Sequence, residues 1–301
     1  MNFTIFLFYF LTIAIWGSSW LAIKFQFGIV PSEVSVTYRF MISAFILLIY
    51  CFCTKRKLHF SFKDHIFMAL QGLFLFGLNY QLIYISSTYL TSGLVAVAFS
   101  TITVMNILNT ALFLKHKMDK KVIGATFIGL VGLICIFYPE IAQTHLSKQT
   151  IMGLGIALLA TLSASFGNII AVRHKKANIG VIESNTVGMV YGSFFSFVFV
   201  ILAGIPFKFD PSFHYVASMI YLSLFATVIA FGAYLSLVGL IGADKASYTV
   251  LIFPIVALAL STFFEDYHWS FMAILGIVLV LFGNAIILKL QQKAKAEIVT
   301  N

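Results

Sequence analysis

The sequence alternates between long apolar runs and short connections that carry most of the charged and turn-forming residues. Each run has about 20 residues, the length an α-helix needs to cross a bilayer, and in lipid such a run can satisfy its backbone groups only as a helix. The runs are residues 4–23, 34–53, 65–86, 91–114, 122–138, 150–172, 184–204, 215–238, 246–264 and 271–288. The pattern therefore predicts an all-α polytopic membrane protein with ten transmembrane helices.

A longer period also runs through the chain, because a shift of 150 or 151 residues superimposes its two halves. The matched pairs include Ala14 with Ala164, Trp16 with Phe166, Gly17 with Gly167, Met68 with Met219, Phe113 with Phe264 and Gly132 with Gly283. Each half holds five predicted helices, an odd number, so the second copy must cross the membrane in the opposite sense. We expect two inverted five-helix repeats, residues 1–145 and 146–290, and a cytoplasmic tail, residues 291–301.

Composition and charge agree with a membrane protein. Apolar residues make up 61% of the chain and charged residues 10%, whereas about a quarter of a soluble domain is charged. The net charge of +9 does not indicate a nucleic-acid partner, because the basic residues lie mostly on one side. Only Lys24, Lys148 and Lys208 fall on the outer side, and Arg39 lies within a predicted helix. This bias predicts a multi-pass inner-membrane protein with both termini in the cytoplasm.

Polar and aromatic side chains inside the apolar runs are candidates for a substrate site, because buried polar groups in lipid need protein or water partners. Arg39 has two interpretations: it reaches the outer headgroups or pairs with Glu33, or it faces a central cavity and binds a carboxylate. Pro254 is either a structural kink or a hinge. The candidate binding residues are Trp16, Ser19, Trp20, Tyr38, Arg39, Asn79, Tyr80, Tyr84, Asn106, Phe166, Asn168, Tyr191, Phe231 and Tyr248.

The sequence gives little support for a catalytic site or a metal site. No helical histidine pair or cysteine spacing typical of a metal site is present, and the predicted helices hold no paired carboxylates. We therefore expect no cofactor, no metal and no enzymatic activity. The carboxylates and histidines all lie in connections or at helix ends, which favours a facilitator or exchanger over a proton-driven carrier.

Several short motifs resemble those of a known family. They are Trp16-Gly17-Ser18-Ser19-Trp20, Tyr38-Arg39-Phe40, and Phe263-Phe264-Glu265 followed by Gly276 and Gly283. Together with the repeat, they resemble the drug/metabolite transporter superfamily, EamA-like family, over nearly the whole chain. One departure is Leu114, which stands where the first repeat of that family usually has a glutamate. The resemblance implies export or exchange of small metabolites, amino acids or drugs across the inner membrane.

The leading functional hypothesis is a secondary transporter that moves small metabolites, with amino acids as first candidates, by alternating access. In this hypothesis Arg39 binds the carboxylate within an aromatic and amide wall. The alternative is an efflux pump for lipophilic cationic drugs, held by cation–π attraction. The expected partners are a small-molecule substrate and the bilayer, without nucleic acid, and the sequence leaves open whether the protein is a monomer or a homodimer.

Overall fold

The computed structural model describes residues 3–114, 120–143, 148–241, 246 and 249–300, which form helices and short connections without strands. The helices are α1 (Phe3–Lys24), α2 (Ser32–Cys53), α3 (Phe62–Gln71, Gly72–Leu78 and Asn79–Ser87), α4 (Ser92–Ser100 and Ile102–Leu114), α5 (Lys120–Gln143), α6 (Lys148–Lys176), α7 (Val181–Leu202), α8 (Phe213–Ile220, Tyr221–Ile229 and Ala230–Ile241), α9 (Thr249–Phe264) and α10 (Phe271–Thr300). The predicted all-α fold is confirmed.

Within the described residues, seven helices are long and apolar enough to cross a membrane: α1, α2, α3, α4, α6, α7 and α8. Shorter apolar stretches lie in α5, α9 and α10, at Ile123–Pro139, Ile252–Phe264 and Phe271–Ile287. Large apolar side chains such as those of Phe45, Phe52 and Ile134 are exposed on the surface of the bundle. Soluble monomers rarely present such extensive apolar surface, which suits contact with lipid.

The middle segments of α3 and α8 are π-helical and occupy equivalent places in the two halves of the chain. They are Gly72–Leu78 and Tyr221–Ile229. The first turns of both helices are also built alike. The Ser61 hydroxyl accepts the Asp64 N–H at 3.2 Å, and the Ser212 hydroxyl accepts the Tyr215 N–H at 3.4 Å. A π-helical segment in a longer α-helix is uncommon and often marks a functional site.

The helices pack in a regular set of pairs. Helix α2 packs against α7 and α5 against α10, α1 packs against α8 and α9, and α6 packs against α3 and α4. Glycine makes the α5–α10 contact close, because a Cβ atom on Gly276 would lie 2.5 Å from the Gly132 carbonyl oxygen. A Cβ atom on Gly132 would in turn lie 2.6 Å from the Gly276 oxygen. The two backbones therefore touch, and a side chain at either position would separate them.

Polar contacts define the two ends of the bundle. At the Lys24 end, the side chain of Lys24 contacts the α3–α4 connection and the end of α9. At the Arg56 end, Arg56 pairs with Glu183 at 2.8 Å and Arg173 pairs with Asp64 at 2.6 Å. These pairs join the α2–α3 connection to α7 and α6 to α3. The hydrogen bond that Arg56 donates to Glu183 raises the pKa of Arg56 above its ordinary value.

Candidate functional site: a central cavity

A cavity of about 360 Å³ lies between α1, α2, α3, α4, α6, α8 and α9. This volume falls within the range that suits small-molecule ligands. Its wall is mostly aromatic and aliphatic, with a few polar groups. The described wall residues are Trp16, Ser19, Trp20, Ile23, Arg39, Leu75, Phe76, Asn79, Tyr80, Ile83, Phe99, Ile102, Thr103, Asn106, Asn168, Ala226, Phe231, Tyr234, Val250 and Phe253.

Two tryptophans of α1 carry one side of the wall. Trp16 and Trp20 are one turn apart, so both side chains lie on the same face of α1. The Trp16 indole N–H donates to the Ala226 carbonyl oxygen at 3.1 Å, and its ring contacts Phe231 edge to face at 5.3 Å. The Trp20 ring packs at 5.3 Å from Phe99. The Trp20 ring also stacks on Phe253 at 6.1 Å, so both indoles contact the second half of the chain.

Arg39 is held inside the bundle, where its side chain is only 2% exposed. Its Nε and Nη2 atoms each donate to the Thr227 hydroxyl oxygen at 3.3 Å. The guanidinium carbon lies 4.6 Å from the centre of the Tyr80 ring, a distance typical of cation–π stacking. The remaining nitrogen, Nη1, has no hydrogen-bond partner among the described residues. The structure therefore favours the interior location over an arrangement in which Arg39 reaches the headgroups.

Asparagines supply most of the remaining polarity of the wall. Asn79 is 2% exposed, and its amide nitrogen donates to the Leu75 carbonyl oxygen at 3.2 Å. The Asn79 side-chain oxygen has no hydrogen-bond partner in the described part of the chain. Asn168 on α6 donates to the side-chain oxygen of Asn106 on α4 at 3.3 Å. Among the fully buried polar atoms of the described wall, Nη1 of Arg39 is thus a donor without a partner and the Asn79 side-chain oxygen an acceptor without one.

The described wall carries a single positive charge and no negative one, because Arg39 is its only ionisable side chain besides Tyr80 and Tyr234. An unpaired buried cation is unfavourable, since the interior does not replace its hydration. The bond to Thr227 and the ring of Tyr80 offset part of this cost. An anionic group entering the cavity would offset more of it, because charge-assisted bonds to guanidinium are stronger than bonds to a neutral hydroxyl.

Nine of the candidate binding residues lie in the cavity wall, and their role in binding stays a prediction. They are Trp16, Ser19, Trp20, Arg39, Asn79, Tyr80, Asn106, Asn168 and Phe231. The candidate Tyr248 lies outside the described residues. Pro254 is buried within α9, next to the wall residue Phe253, and its role as a hinge stays a prediction.

Four candidates lie away from the wall, each held by other contacts. Tyr38 is at the Lys24 end, where its hydroxyl donates to the Lys208 carbonyl oxygen at 3.2 Å. Tyr84 is fully buried next to Arg39 and interacts with its charge. Phe166 packs between Phe74 and Phe113. Tyr191 is on α7, where its hydroxyl bonds the Nδ1 atom of His65 at 3.1 Å. Spacing along one helix does not reveal these neighbours from other helices.

The sequence interpretation missed most of the apolar wall, including Phe99, Val250 and Phe253. An aromatic or aliphatic residue in a membrane helix suits lipid, helix packing and a cavity equally well, so its type gives no signal. The sequence repeat does give such a signal. Each wall residue of α8 and α9 has a partner in the wall 151 positions earlier: Leu75 with Ala226, Tyr80 with Phe231, Ile83 with Tyr234, Phe99 with Val250 and Ile102 with Phe253.

A smaller cavity of about 180 Å³ lies between α2, α7 and α8, towards the Arg56 end. Leu47 and Tyr50 of α2 line it together with Asn185 of α7. Phe231 lines both this cavity and the central one, and Thr227, the partner of Arg39, lines the smaller one. The Phe231 ring therefore lies at the boundary between the two cavities.

Comparison with known proteins agrees with this architecture. The chain is 29% identical over 273 residues to a protein of Buchnera aphidicola subsp. Schlechtendalia chinensis named "Uncharacterized transporter in trpA 3'region", with 89% of this chain and 86% of that one covered. It is 25% identical over 274 residues to protein PagO of Salmonella typhimurium, covering 89% and 87%. It is also 25% identical over 252 residues to the uncharacterized inner membrane transporter YedA of Escherichia coli, covering 82% and 78%.

A solved crystal structure has the same fold, with a TM-score of 0.66 at 14% identity, and covers 95% of this chain and 98% of its own. The sequence profile of the EamA-like transporter family matches the chain twice, at residues 3–138 and again at residues 151–289. The match spans nearly the whole chain, including the helices that build the cavity. This multi-pass membrane protein therefore belongs to the EamA-like transporter family.

Proposed function

We propose that the protein is a secondary transporter of small carboxylate-bearing metabolites, with amino acids as the first candidates. The observation that carries this proposal is the central cavity, in whose described wall Arg39 is the single charge and is not paired with any carboxylate. A carboxylate bound there would receive charge-assisted hydrogen bonds in surroundings of low dielectric constant. Aromatic rings and amides around it would hold the rest of the molecule.

The unpartnered polar atoms of the wall support a zwitterion over a simple anion. The Asn79 side-chain oxygen can accept from an ammonium group, while Arg39 donates to the carboxylate. Ring faces such as that of Tyr80 also attract cations. A substrate with both groups would satisfy the donor and the acceptor at once, which an anion without an amine would not do.

We further propose that transport proceeds by alternating access between two inverted five-helix repeats, residues 1–145 and 146–290, followed by a tail at residues 291–301. If each helix of α1–α5 is exchanged with its equivalent in α6–α10, the set of packed pairs stays the same. The pairs α2–α7 and α5–α10 map onto themselves, and α1–α9 maps onto α6–α4. The two π-helical segments and the five pairs of wall residues follow the same exchange. The two separate profile matches also support the duplication. Repeats of this kind bind substrate where they meet.

The orientation follows from the basic residues of the connections. The Arg56 end carries Lys55, Lys57, Lys175 and Lys176 in addition to its ion-paired arginines. This bias supports a cytoplasmic Arg56 end and an external Lys24 end, with both termini in the cytoplasm and the inner membrane as the location.

The proposal is tested by counterflow in proteoliposomes preloaded with a mixture of unlabelled amino acids. Radiolabelled amino acids are compared with tetraphenylphosphonium, a lipophilic cation that represents the efflux alternative. We expect labelled amino acid to accumulate transiently, Arg39→Met to abolish this, and Arg39→Lys to keep part of it. Lys57→Met, which removes an exposed charge at the Arg56 end, is the matched control and should behave as the parent. Unchanged amino-acid counterflow in Arg39→Met, or counterflow of the cation alone, would contradict the proposal.

A further inference from the structure

The ammonium group of Lys24 is fully engaged at the end of α1. Its Nζ atom donates to the carbonyl oxygens of Ser87 at 2.6 Å and Leu90 at 2.7 Å, and lies 3.3 Å from the Glu265 carboxylate. An ammonium group has three donors, and these contacts use all of them. The sequence predicted only that Lys24 is one of the few basic residues on the outer side. In the structure it joins α1 to the α3–α4 connection and to the end of α9.

The carboxylate of Glu265 is equally well satisfied. It accepts the backbone N–H of Ser92 at 2.9 Å and 3.0 Å, and the hydroxyls of Ser92 and Ser261. Its side chain is 11% exposed. Glu265 thus caps the first turn of α4, where a negative charge is favourable. One network therefore ties four helix ends, those of α1, α3 and α4 from the first half of the chain and that of α9 from the second.

This network lies directly over the central cavity. Ile23, the residue before Lys24, lines the cavity, as does Ile83 near the end of α3. A path to the Lys24 end that separates α1 from α4 and α9 has to break this network, because the network joins these helices. Opening along this path therefore requires Lys24 and Glu265 to part.

The opposite end lacks this network at the equivalent positions. The repeat matches Lys24 with His174 and Glu265 with Leu114, so neither member of the charge pair recurs. His174 is 1% exposed, and its ring nitrogens make no hydrogen bond to any described residue. The ion pairs of the Arg56 end tie other elements, the α2–α3 connection to α7 and α3 to α6. The contacts of the described residues therefore differ between the two ends.

We propose that Lys24 and Glu265 form the outer gate of this transporter, an ion pair that must break each time the cavity opens to the outside. The inference rests on the transport function proposed above. It adds that the resting protein favours the state closed to the outside, because the repeat places no matching charge pair at the equivalent positions of α4 and α6. Removing either charge shifts the equilibrium towards the outward-open state.

The test measures access to the cavity from outside, with Ser19→Cys as a reporter in the wall. Cys51, Cys53 and Cys135 are first replaced by alanine, and right-side-out vesicles are treated with a membrane-impermeant maleimide. We expect Lys24→Met and Glu265→Gln each to raise the labelling rate about tenfold, as for loss of one charge-assisted contact in a two-state equilibrium. Lys24→Arg should keep the parental rate.

Arg56→Met is the matched control, because it breaks an ion pair at the other end. It should leave external labelling within about twofold of the parent. Folding of every variant is checked by size-exclusion chromatography, and Glu265→Gln, which keeps the side-chain size, serves if Lys24→Met does not fold. Unchanged external labelling in folded Lys24→Met and Glu265→Gln would overturn the gate.

The labelling readout needs no substrate, so it separates the gate from the proposed function. If labelling rises but no amino acid shows counterflow, the gate stands and the substrate proposal fails. If counterflow depends on Arg39 but labelling does not respond to Lys24 or Glu265, transport stands and the gate fails.

Discussion

The contact between Arg39 and Thr227 can be tested by removing one hydroxyl group. Thr227→Val keeps the shape of the side chain but deletes the acceptor of two guanidinium N–H groups. The same hydroxyl donates to the Leu222 carbonyl oxygen at 2.8 Å, within the π-helical segment of α8. The substitution therefore leaves a buried cation with fewer partners and one backbone oxygen without its side-chain donor.

The magnitude follows from the geometry. A hydrogen bond to a charged group contributes about 1.5–3 kcal/mol, but here two donors share one acceptor at 3.3 Å, beyond the usual range. We therefore expect that losing both hydrogen bonds lowers the free energy of unfolding by about 1.5 kcal/mol. With an unfolding entropy of about 2.1 cal/mol/K per residue, this corresponds to about 2–3 °C in melting temperature for a chain of 301 residues. Transport should show a KM for amino acids raised about tenfold, because the guanidinium is no longer fixed.

Thr161→Val is the matched control for this experiment. Thr161 is also fully buried, and its hydroxyl bonds only a backbone carbonyl of its own helix, that of Ala157 at 2.8 Å. Both variants are compared by thermal unfolding in detergent and by counterflow in proteoliposomes. If Thr227→Val and Thr161→Val lower the melting temperature equally and leave KM unchanged, Thr227 does not position Arg39.

Three further predictions follow from the packing, the partition between the cavities and the charges of the wall. Gly276→Ala should lower the melting temperature by several degrees, because its Cβ atom would lie 2.5 Å from a backbone oxygen, whereas Gly155→Ala, in open space, should not. Phe231→Ala should merge the two cavities and speed efflux of labelled amino acid from preloaded proteoliposomes, while Phe231→Tyr should keep the parental rate. A pH gradient imposed across proteoliposomes should not drive uphill accumulation, since the described wall holds neither carboxylate nor histidine; uphill uptake would show proton coupling.

The helices were predictable from the sequence because lipid permits few alternatives. Within the described residues, each apolar run falls in a helix, since a run of about 20 apolar residues has no other way to satisfy its backbone in a bilayer. The polar part of the wall was also accessible, because Arg39, Asn79 and Asn106 are unusual in such runs. Their presence in a membrane helix demands a partner, and the cavity is where the helices bring them together.

The apolar wall and the displaced tyrosines were not predictable from residue type alone. The side chain of Tyr191 is of a type that often binds substrates, but its hydroxyl forms a hydrogen bond with His65 at the Arg56 end. The π-helical segments of α3 and α8 left no recognisable pattern in the sequence, although Ala226 and Thr227 owe their contacts with Trp16 and Arg39 to one of them. Contacts between helices decide these features.

The apolar residues of the cavity wall are matched across the repeat, but its charged residue is not. The repeat pairs Tyr80 with Phe231, which differ by one hydroxyl group. It also pairs Ile83 with Tyr234, and all four side chains line the cavity. Arg39 has no such partner, because the repeat matches it with Met189, which lines the smaller cavity instead. If the repeats rock against each other during transport, a carboxylate bound to Arg39 stays with the first repeat, and the contact that changes is the one to Thr227 of the second. The strength of the Arg39–Thr227 bond then governs how readily the loaded carrier reorients.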